Sequence, residues 1–268
     1  MKLTAIVIAK NEQKMLEACL ESIKWAQEII ILDNGSSDKT IEIAKKYTDK
    51  VYSFEELSFA DLRNKGLEKS TGDWILYIDA DERVTDGLKT EILETIESTQ
   101  NSAVALSRKN IIFGQEKKYG PFWPDWVIRL LKKTDFEKWD GEIHEQPKFK
   151  GALGYSKNSL IHLTHRNLDQ IVLKSLECSK IEAKLRLKAN HPKMTGWRFL
   201  RIFISETFNQ GVLRKGFFNG TIGIMDSLLQ AFSMYMAYVR LWELQQAKTS
   251  SEIYKEIDKK LIDNNFKF

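Results

Sequence analysis

Cysteine is nearly absent: the 268 residues hold only Cys19 and Cys178. They lie far apart, each within a segment of helical periodicity, so neither a zinc cluster nor a disulfide framework is indicated and a reducing compartment is expected. An excess of charge of one sign is missing too. The 41 basic and 37 acidic residues leave a net charge of +4, too small and too evenly scattered to mark nucleic acid as a partner. Long apolar runs are also lacking. The apolar stretch of MKLTAIVIAKNEQ is too short for a membrane span and runs into polar residues without a small-residue cleavage site, so no secretion signal is expected. The longest nearly apolar segment, residues 222–239, is interrupted by Asp226 and Gln230, which argues against a spanning helix and leaves only a peripheral membrane role.

What is present suits a globular α/β protein. Hydrophobic residues make up 43% of the chain, enough to fill the core of one large domain or of a domain with an appendage. Over the first hundred residues, short β-branched runs alternate with helical ones. LTAIVIA (3–9), EIIILD (28–33), KVYSF (50–54) and DWILYIDA (73–80) read as strands apolar on both faces, which implies a parallel sheet. Between them, Met15, Leu16, Cys19, Leu20 and Ile23 recur at helical spacing, as do Ile41, Ile43, Ala44 and Tyr47, and then Leu62, Gly66 and Leu67. Ser37 or Asp38 is expected to cap the second helix and Asp86 the helix after Val84. The order βαβαβαβ describes a doubly wound half-domain.

Such sheets bind ligands at the carboxyl ends of their strands. Three polar endings fall there: AKNE, DNGSSD and DADE. Asp33, Asp79 and Asp81 would then share one sheet edge, where carboxylates are tolerable only if water, a cation or hydrogen-bond donors reach them. In an Asp-x-Asp pair, one carboxylate can accept from a sugar hydroxyl while the other ligates a divalent ion. Alone, the triplet reads equally well as a solvated strand terminus.

In their order and spacing, IVIAKNE, ILDNGSSDKT and LRNKGLEKSTGDWILYIDADE resemble the family 2 glycosyltransferases of the GT-A fold. The later segments NIIFGQEKKYGPFWPDWVIRLLKK, WDGEIHE and LIHLTHRNLDQIVLKSLECSKIEA look like the bacterial branch that includes lipopolysaccharide core glucosyltransferases. The resemblance thins after about Gly196. It implies an α/β, GT-A-type, doubly wound and mostly parallel sheet over residues 1–166, followed by a helical C-terminal extension over 167–268.

Carried over residue by residue, the resemblance puts Glu12 and Asp33 at the nucleotide base, where carboxylates suit the imide N–H of uracil. Arg63 falls near the nucleotide and diphosphate, Asp79 at the ribose, and Asp81 at the metal, Mg²⁺ or Mn²⁺, with His162 as a candidate to complete its shell. Inverting transfer needs a base to take the acceptor proton, and WDGEIHE supplies Asp140, Glu142 and Glu145 with His144 among them. The family's His-Glu pair maps to His144 and Glu145, which favours Glu145. His165 stands close enough to compete with His162, whereas nothing points His191 to catalysis. Tyr119, Phe122, Trp123 and Trp126 could stack on an acceptor sugar or simply pack in the core. Arg129, on one strand face with Val127 and Leu131 by alternation, has an open role.

The C-terminal third reads as helical. Ile171, Val172, Leu176, Ile181 and Leu185 form one apolar side, and Ile222, Met225, Leu229, Phe232, Met236 and Val239 form a seam that needs a cover: the core, a second copy or an anionic lipid surface. GWRFLRIFISETFNQGVLRKGFF interleaves cations with aromatics as interfacial helices do. The resemblance as a whole implies a cytoplasmic, metal-assisted, inverting enzyme, with the inner membrane face as its site if the tail meets lipid. It would move a hexose, with UDP-glucose the favoured donor, to a saccharide or lipid-linked acceptor of the bacterial cell envelope. Two other readings are a haloacid-dehalogenase phosphatase, disfavoured by Arg83 where that motif expects Thr or Val, and a non-catalytic sugar-nucleotide scaffold or sensor.

Overall fold

The computed structural model describes residues 1–55, 57–120, 124–141 and 145–263. Its contacts divide the chain into two compact units: one takes in Met1–Lys118 and continues to Thr164, and the other includes Tyr119 and runs on from His165.

In the first unit the elements run β1 (Leu3–Ala9), α1 (Leu16–Ile23), β2 (Glu28–Asp33), α2 (Thr40–Ala44), β3 (Val51–Ser53), α3 (Phe59–Lys69), β4 (Trp74–Asp79), β5 (Glu82–Val84) and α4 (Asp86–Ser98). They continue with β6 (Ala103–Ile112), β7 (Gln115–Glu116), β8 (Asp125–Lys132), β9 (Phe136–Asp140), β10 (Gln146–Phe149) and β11 (Leu153–Leu163). The main sheet has the order β3-β2-β1-β4-β8-β6-β11-β5, with β7 beside β6, while β9 and β10 form a separate hairpin. Strands β3, β2, β1 and β4 are parallel. Beyond them β8 runs antiparallel to β4 and β6, β11 returns parallel to β6, and β5 closes the edge antiparallel to β11.

The apolar runs explain this order. All residues of β1 and β2 are buried, and their side chains alternate between two cores. Leu3, Ala5, Val7 and Ile31 join Leu16, Leu20, Leu88 and Ile92 under α1 and α4. Ile6, Ile8, Ile30 and Leu32 face Leu62, Tyr77, Phe136 and Trp139 on the side of α3 and the hairpin. Helices and hairpin thus cover both faces of the sheet, the doubly wound arrangement expected from the sequence. The cap positions differ from expectation. Thr85, not Asp86, caps α4, accepting from the Leu88 amide. Residue Lys39 precedes α2 without a side-chain cap, although Asp38 Oδ1 accepts from the Thr40 amide at 3.0 Å.

The second unit is the helical extension, with α5 (Leu168–Lys188), α6 (Gly196–Phe208), α7 (Gly220–Leu244) and α8 (Ser250–Ile262). Its packing departs in part from the expected apolar seams, of which Ile171 is buried and Val172, Leu176, Ile222, Leu229, Met236 and Val239 are half-buried. The buried line of α5 is Ile171, Ser175, Ser179 and Ala183, and α7 buries Gly223, Asp226, Ser227, Ala231, Ala237 and Leu241. Ile181, Leu185, Met225 and Phe232 are exposed. Small residues win because they let backbones approach: a Cβ on Gly223 would lie 2.2 Å from the Gly216 carbonyl oxygen. Polar groups tie the helices together, with Arg240 Nε donating to Ser179 Oγ at 2.8 Å. Among the described residues, no helix is long and apolar enough to cross a membrane.

Candidate active site

The parallel strands bring the expected acids to one edge. In register, Ala9 of β1 lies beside Asp33 of β2, and Ile8 beside Asp79 of β4. Strand β4 ends at Asp79, the chain turns through Ala80 and Asp81, and β5 begins at Glu82.

Asp33 is 1% exposed. Its Oδ2 accepts from the amides of Gly35 and Ser36, both at 3.1 Å, a turn that Gly35 permits with φ of 82°. Its Oδ1 is buried without a protein partner among the described residues. The loops after β1 and β2 are laced together: the Ser37 amide donates to Asn11 Oδ1 and the Glu12 amide to Thr40 Oγ1, both at 2.8 Å. Glu12 therefore stands on the same rim as Asp33.

Glu82, buried, and Asp79, half-buried, sit in a lattice of charge. Arg63, from α3, donates through Nη2 to Asp79 Oδ1 at 3.1 Å and through Nη1 to Glu145 Oε1. Its guanidinium lies 4.7 Å from the centre of the Trp139 ring. Arg129 Nη2 reaches Asp79 Oδ2 and, at 3.2 Å, Glu82 Oε1, while Arg108 Nη1 meets the same Glu82 oxygen at 3.3 Å. The other Glu82 oxygen accepts from the Asp79 amide at 2.9 Å. Burial by itself would raise the pKa of Asp79, but the guanidiniums of Arg129, Arg63 and Arg108 outweigh it and hold the carboxyl well below the usual carboxylate range.

Arg129 owes its position to a β-bulge. Leu130 pairs with Val104 and Ile128 with Ala105, which leaves Arg129 as the extra residue, the device by which a strand re-aims a side chain. The bulge breaks the alternation that grouped Arg129 with Val127 and Leu131; instead Ile128 and Leu131 pack into the same core layer.

Asp81 turns toward β11, where its Oδ2 lies 3.4 Å from His162 Nε2. His162 is buried, and its Nδ1 meets Asn110 Oδ1 at 2.5 Å. His165 belongs to the helical unit, 3.8 Å from Asp226, and His191 Nδ1 faces the Pro192 carbonyl oxygen. Glu145 joins the lattice through Arg63, whereas Asp140 is solvent-exposed and paired with Lys148 at 2.5 Å. Glu142 and His144 lie outside the described residues, as do Phe122 and Trp123. Tyr119 donates to Asp226 within the helical unit at 3.1 Å, and Trp126 packs edge-on against Tyr155.

Glu82, Arg108, Asn110, Asp125 and Arg129 are the site's less legible residues. A sequence signal existed only for Glu82, within DADE, and for Arg129, a charge inside an apolar strand.

Over residues 4–156, more than half of its length, the chain matches Glycosyl transferase family 2. It is 25% identical over 261 residues to the lipopolysaccharide core biosynthesis glycosyltransferase LpsC of Rhizobium meliloti, an alignment covering 88% of this chain and 93% of that one. Similarity to an uncharacterized glycosyltransferase of Rickettsia conorii is 26% identity over 95% of both chains. Among solved structures, glucosyl-3-phosphoglycerate synthase from Mycobacterium tuberculosis in complex with Mg²⁺ and uridine-diphosphate is 16% identical, with a TM-score of 0.46 over 72% of this chain and 80% of that one. That superposition is too loose to transfer residue roles. The match over the sheet and its strand-end acids is a family match: this chain belongs to glycosyl transferase family 2.

Proposed function

We propose that the protein is an inverting hexosyltransferase that uses a UDP-sugar, with UDP-glucose the favoured donor, and acts on a saccharide or lipid-linked acceptor of the bacterial cell envelope. The observation that carries the donor reading is Asp33, whose buried Oδ1 has no protein partner among the described residues. An unpaired buried acceptor is costly unless a ligand donor meets it, and the imide N–H of uracil is such a donor. Glu12 on the same rim and Asp79 at the neighbouring strand end would take the base and ribose. The name of the Rhizobium meliloti relative supports an envelope acceptor.

In this reading Glu145 is the base. Arg63 engages its Oε1, and the second oxygen would take the proton from the acceptor hydroxyl. As that hydroxyl oxygen bonds to the anomeric carbon, the bond from this carbon to the diphosphate oxygen breaks on the opposite face, and UDP departs. Arg63 links the two sides of the reaction by holding both Glu145 and Asp79.

Asp81 and His162 offer an oxygen and an imidazole nitrogen 3.4 Å apart, a donor set that suits Mg²⁺ or Mn²⁺. Among the described residues no three His, Cys, Asp or Glu side chains converge on one point, so diphosphate oxygens and water would complete the shell. When bound, the ion supplies positive charge to the departing diphosphate.

The helical unit presents a candidate membrane face. On α6, Trp197, Leu200, Ile204 and Phe208 recur at helical spacing and are 71%, 52%, 58% and 52% exposed. Leu213 and Phe218 are exposed too. Over residues 195–218 the charged residues are Arg198, Arg201, Arg214 and Lys215 against Glu206 alone. This mixture of exposed apolar groups and cations fits an anionic lipid surface, which would place a cytoplasmic enzyme at the inner face of the membrane.

The test is UDP release from a panel of UDP-hexoses with Mn²⁺ or Mg²⁺, together with calorimetry of UDP with and without EDTA. Turnover of one donor with metal-strengthened binding is expected. Absence of UDP binding removes the donor reading, and binding without turnover on any acceptor favours a sensor. If Asp81→Ala leaves the metal effect intact, the metal assignment fails.

A further inference from the structure

One row of side chains crosses three neighbouring strands beneath Asp81. Arg108 and Asn110 project from the same face of β6, two residues apart. In register, Arg108 lies beside Asp125 of β8, and Asn110 beside His162 of β11. Arg108 Nε donates to Asp125 Oδ2 at 2.8 Å, and Asn110 Nδ2 donates to the same oxygen at 2.7 Å. Asn110 Oδ1 meets His162 Nδ1 at 2.5 Å.

The order of donors along this row is forced from one end. A guanidinium can only donate, so Arg108 fixes Asp125 as the acceptor. A carboxylate beside it can receive only the NH₂ of the Asn110 amide, which settles which way the amide points. The carbonyl oxygen of Asn110 then faces Nδ1, and a carbonyl oxygen accepts only. The proton of the imidazole must sit on Nδ1. In a neutral ring, Nε2 is left with its lone pair directed to the side of Asp81.

We propose that Asn110 is a positioning residue: held by Asp125 and Arg108, it fixes His162 as the Nδ1–H tautomer and so presents Nε2 as an electron-pair donor beside the Asp81 carboxylate. The functional consequence rests on the metal reading above. Two acceptors facing each other at 3.4 Å repel without a cation between them and attract with one. An unrestrained ring would gain a hydrogen bond by placing its proton on Nε2 against Asp81, which would cap that carboxylate and close the pair to an ion. In the neutral ring, Asn110 opposes that exchange, because moving the proton to Nε2 would leave the Asn110 carbonyl oxygen facing a second lone pair. Outer partners of this kind orient metal-binding histidines, and their loss typically weakens affinity by about 10–100-fold.

The experiment is long-range ¹H–¹⁵N correlation on ¹⁵N-histidine-labelled full-length protein at neutral pH without metal, with His162→Gln used to assign the ring. A proton on Nδ1 of His162 is expected in the wild type. In Asn110→Leu it should move to Nε2, whereas Asn110→Asp, which keeps an acceptor at that place, should retain it on Nδ1. Mn²⁺ binding in the presence of UDP, followed by the electron paramagnetic resonance of free Mn²⁺, should weaken by about 10–100-fold in Asn110→Leu and less in Asn110→Asp. A proton on Nε2 in the wild type overturns the proposal even if Asn110→Leu does not fold. So does Mn²⁺ affinity unchanged in a folded Asn110→Leu. Failure of the wild type to bind Mn²⁺ at all overturns the metal reading instead, and the position of the proton then decides the role of Asn110.

Discussion

Arg63 and Glu145, 82 positions apart in the chain, form an ion pair that fixes the end of the β9–β10 hairpin segment against α3, while the same guanidinium holds Asp79 at the end of β4. Arg63 is itself 3% exposed. Its removal would leave two carboxylates short of a counter-charge. Arg63→Ala should therefore destabilise the protein by about 3–5 kcal/mol, the scale for breaking a buried pair by deleting one partner. Arg63→Lys should recover only part of this, since an ammonium cannot fork between two carboxylates or stack on Trp139 in the same way. Denaturant unfolding measures both. A loss below about 1 kcal/mol in Arg63→Ala would show that solvent already screens the pair.

Glu145→Gln separates binding from chemistry. Donor affinity should stay nearly unchanged, while transfer falls by roughly two to four orders of magnitude, the scale for losing a general base. Asp140→Asn should leave transfer close to wild type, because Asp140 is engaged with Lys148 in solvent. Single-turnover kinetics with saturating UDP-sugar reads both. If Asp140→Asn or Glu142→Gln shows the separation and Glu145→Gln does not, the base moves to that residue.

How much of this was legible follows from what each segment must bury. β1 and β2 are readable to their end residues because strands apolar on both faces have no other use for such runs, and a carboxylate terminating such a strand marks the sheet edge. The partners of those carboxylates were not readable. Arg129 reaches Asp79 only through a bulge, and no periodicity announces an extra residue in a strand. Asn110, Asp125 and Arg108 become neighbours of His162 only through the order β8-β6-β11, which joins segments distant in sequence. In the DADE motif the third acid misleads, since Glu82 is internal and spends its oxygens on Arg108, Arg129 and the Asp79 amide. The helical seams were legible only in part: periodicity picks out large apolar residues, but the line that α5 buries runs Ile171, Ser175, Ser179 and Ala183, and α7 buries Ala231 and Ala237, because small side chains let helices approach closely.

Glu28 predicts an acid limit in the first unit. Burial opposes its charge, but Lys50, the Thr4 hydroxyl at 2.5 Å, and the Thr71 amide and hydroxyl more than compensate, and its pKa falls to about 2. Because the folded value lies below the unfolded value of about 4.3, the carboxylate contributes stability above that pH. The contribution disappears as pH falls through about 2 and amounts to at most about 3 kcal/mol, reduced by the solvent that screens the half-exposed Lys50. Glu28→Gln should be less stable than wild type at pH 7 and should show a flatter stability profile between about pH 4.5 and 2. Urea titrations across that range test it; parallel profiles would remove Glu28 from the acid response.

The exposed face of α6 makes the last prediction. Wild-type protein should co-sediment with vesicles containing anionic phospholipid, and the bound fraction should fall as salt screens Arg201 and Lys215. Replacing Trp197 and Ile204 together by glutamate should abolish binding, because each loses apolar contact and places a negative charge against a negative surface. Neither side chain belongs to the proposed donor or metal machinery, so UDP affinity should stay at the wild-type value. Light scattering distinguishes the other cover for this face. A doubled mass that resists salt and collapses to the monomer in the double variant, with no vesicle binding in the wild type, would assign α6 to a second copy of the chain. A wild-type protein that is monomeric and ignores vesicles at low salt would rule out both, since apolar side chains this exposed have no cover within the described residues of their own unit.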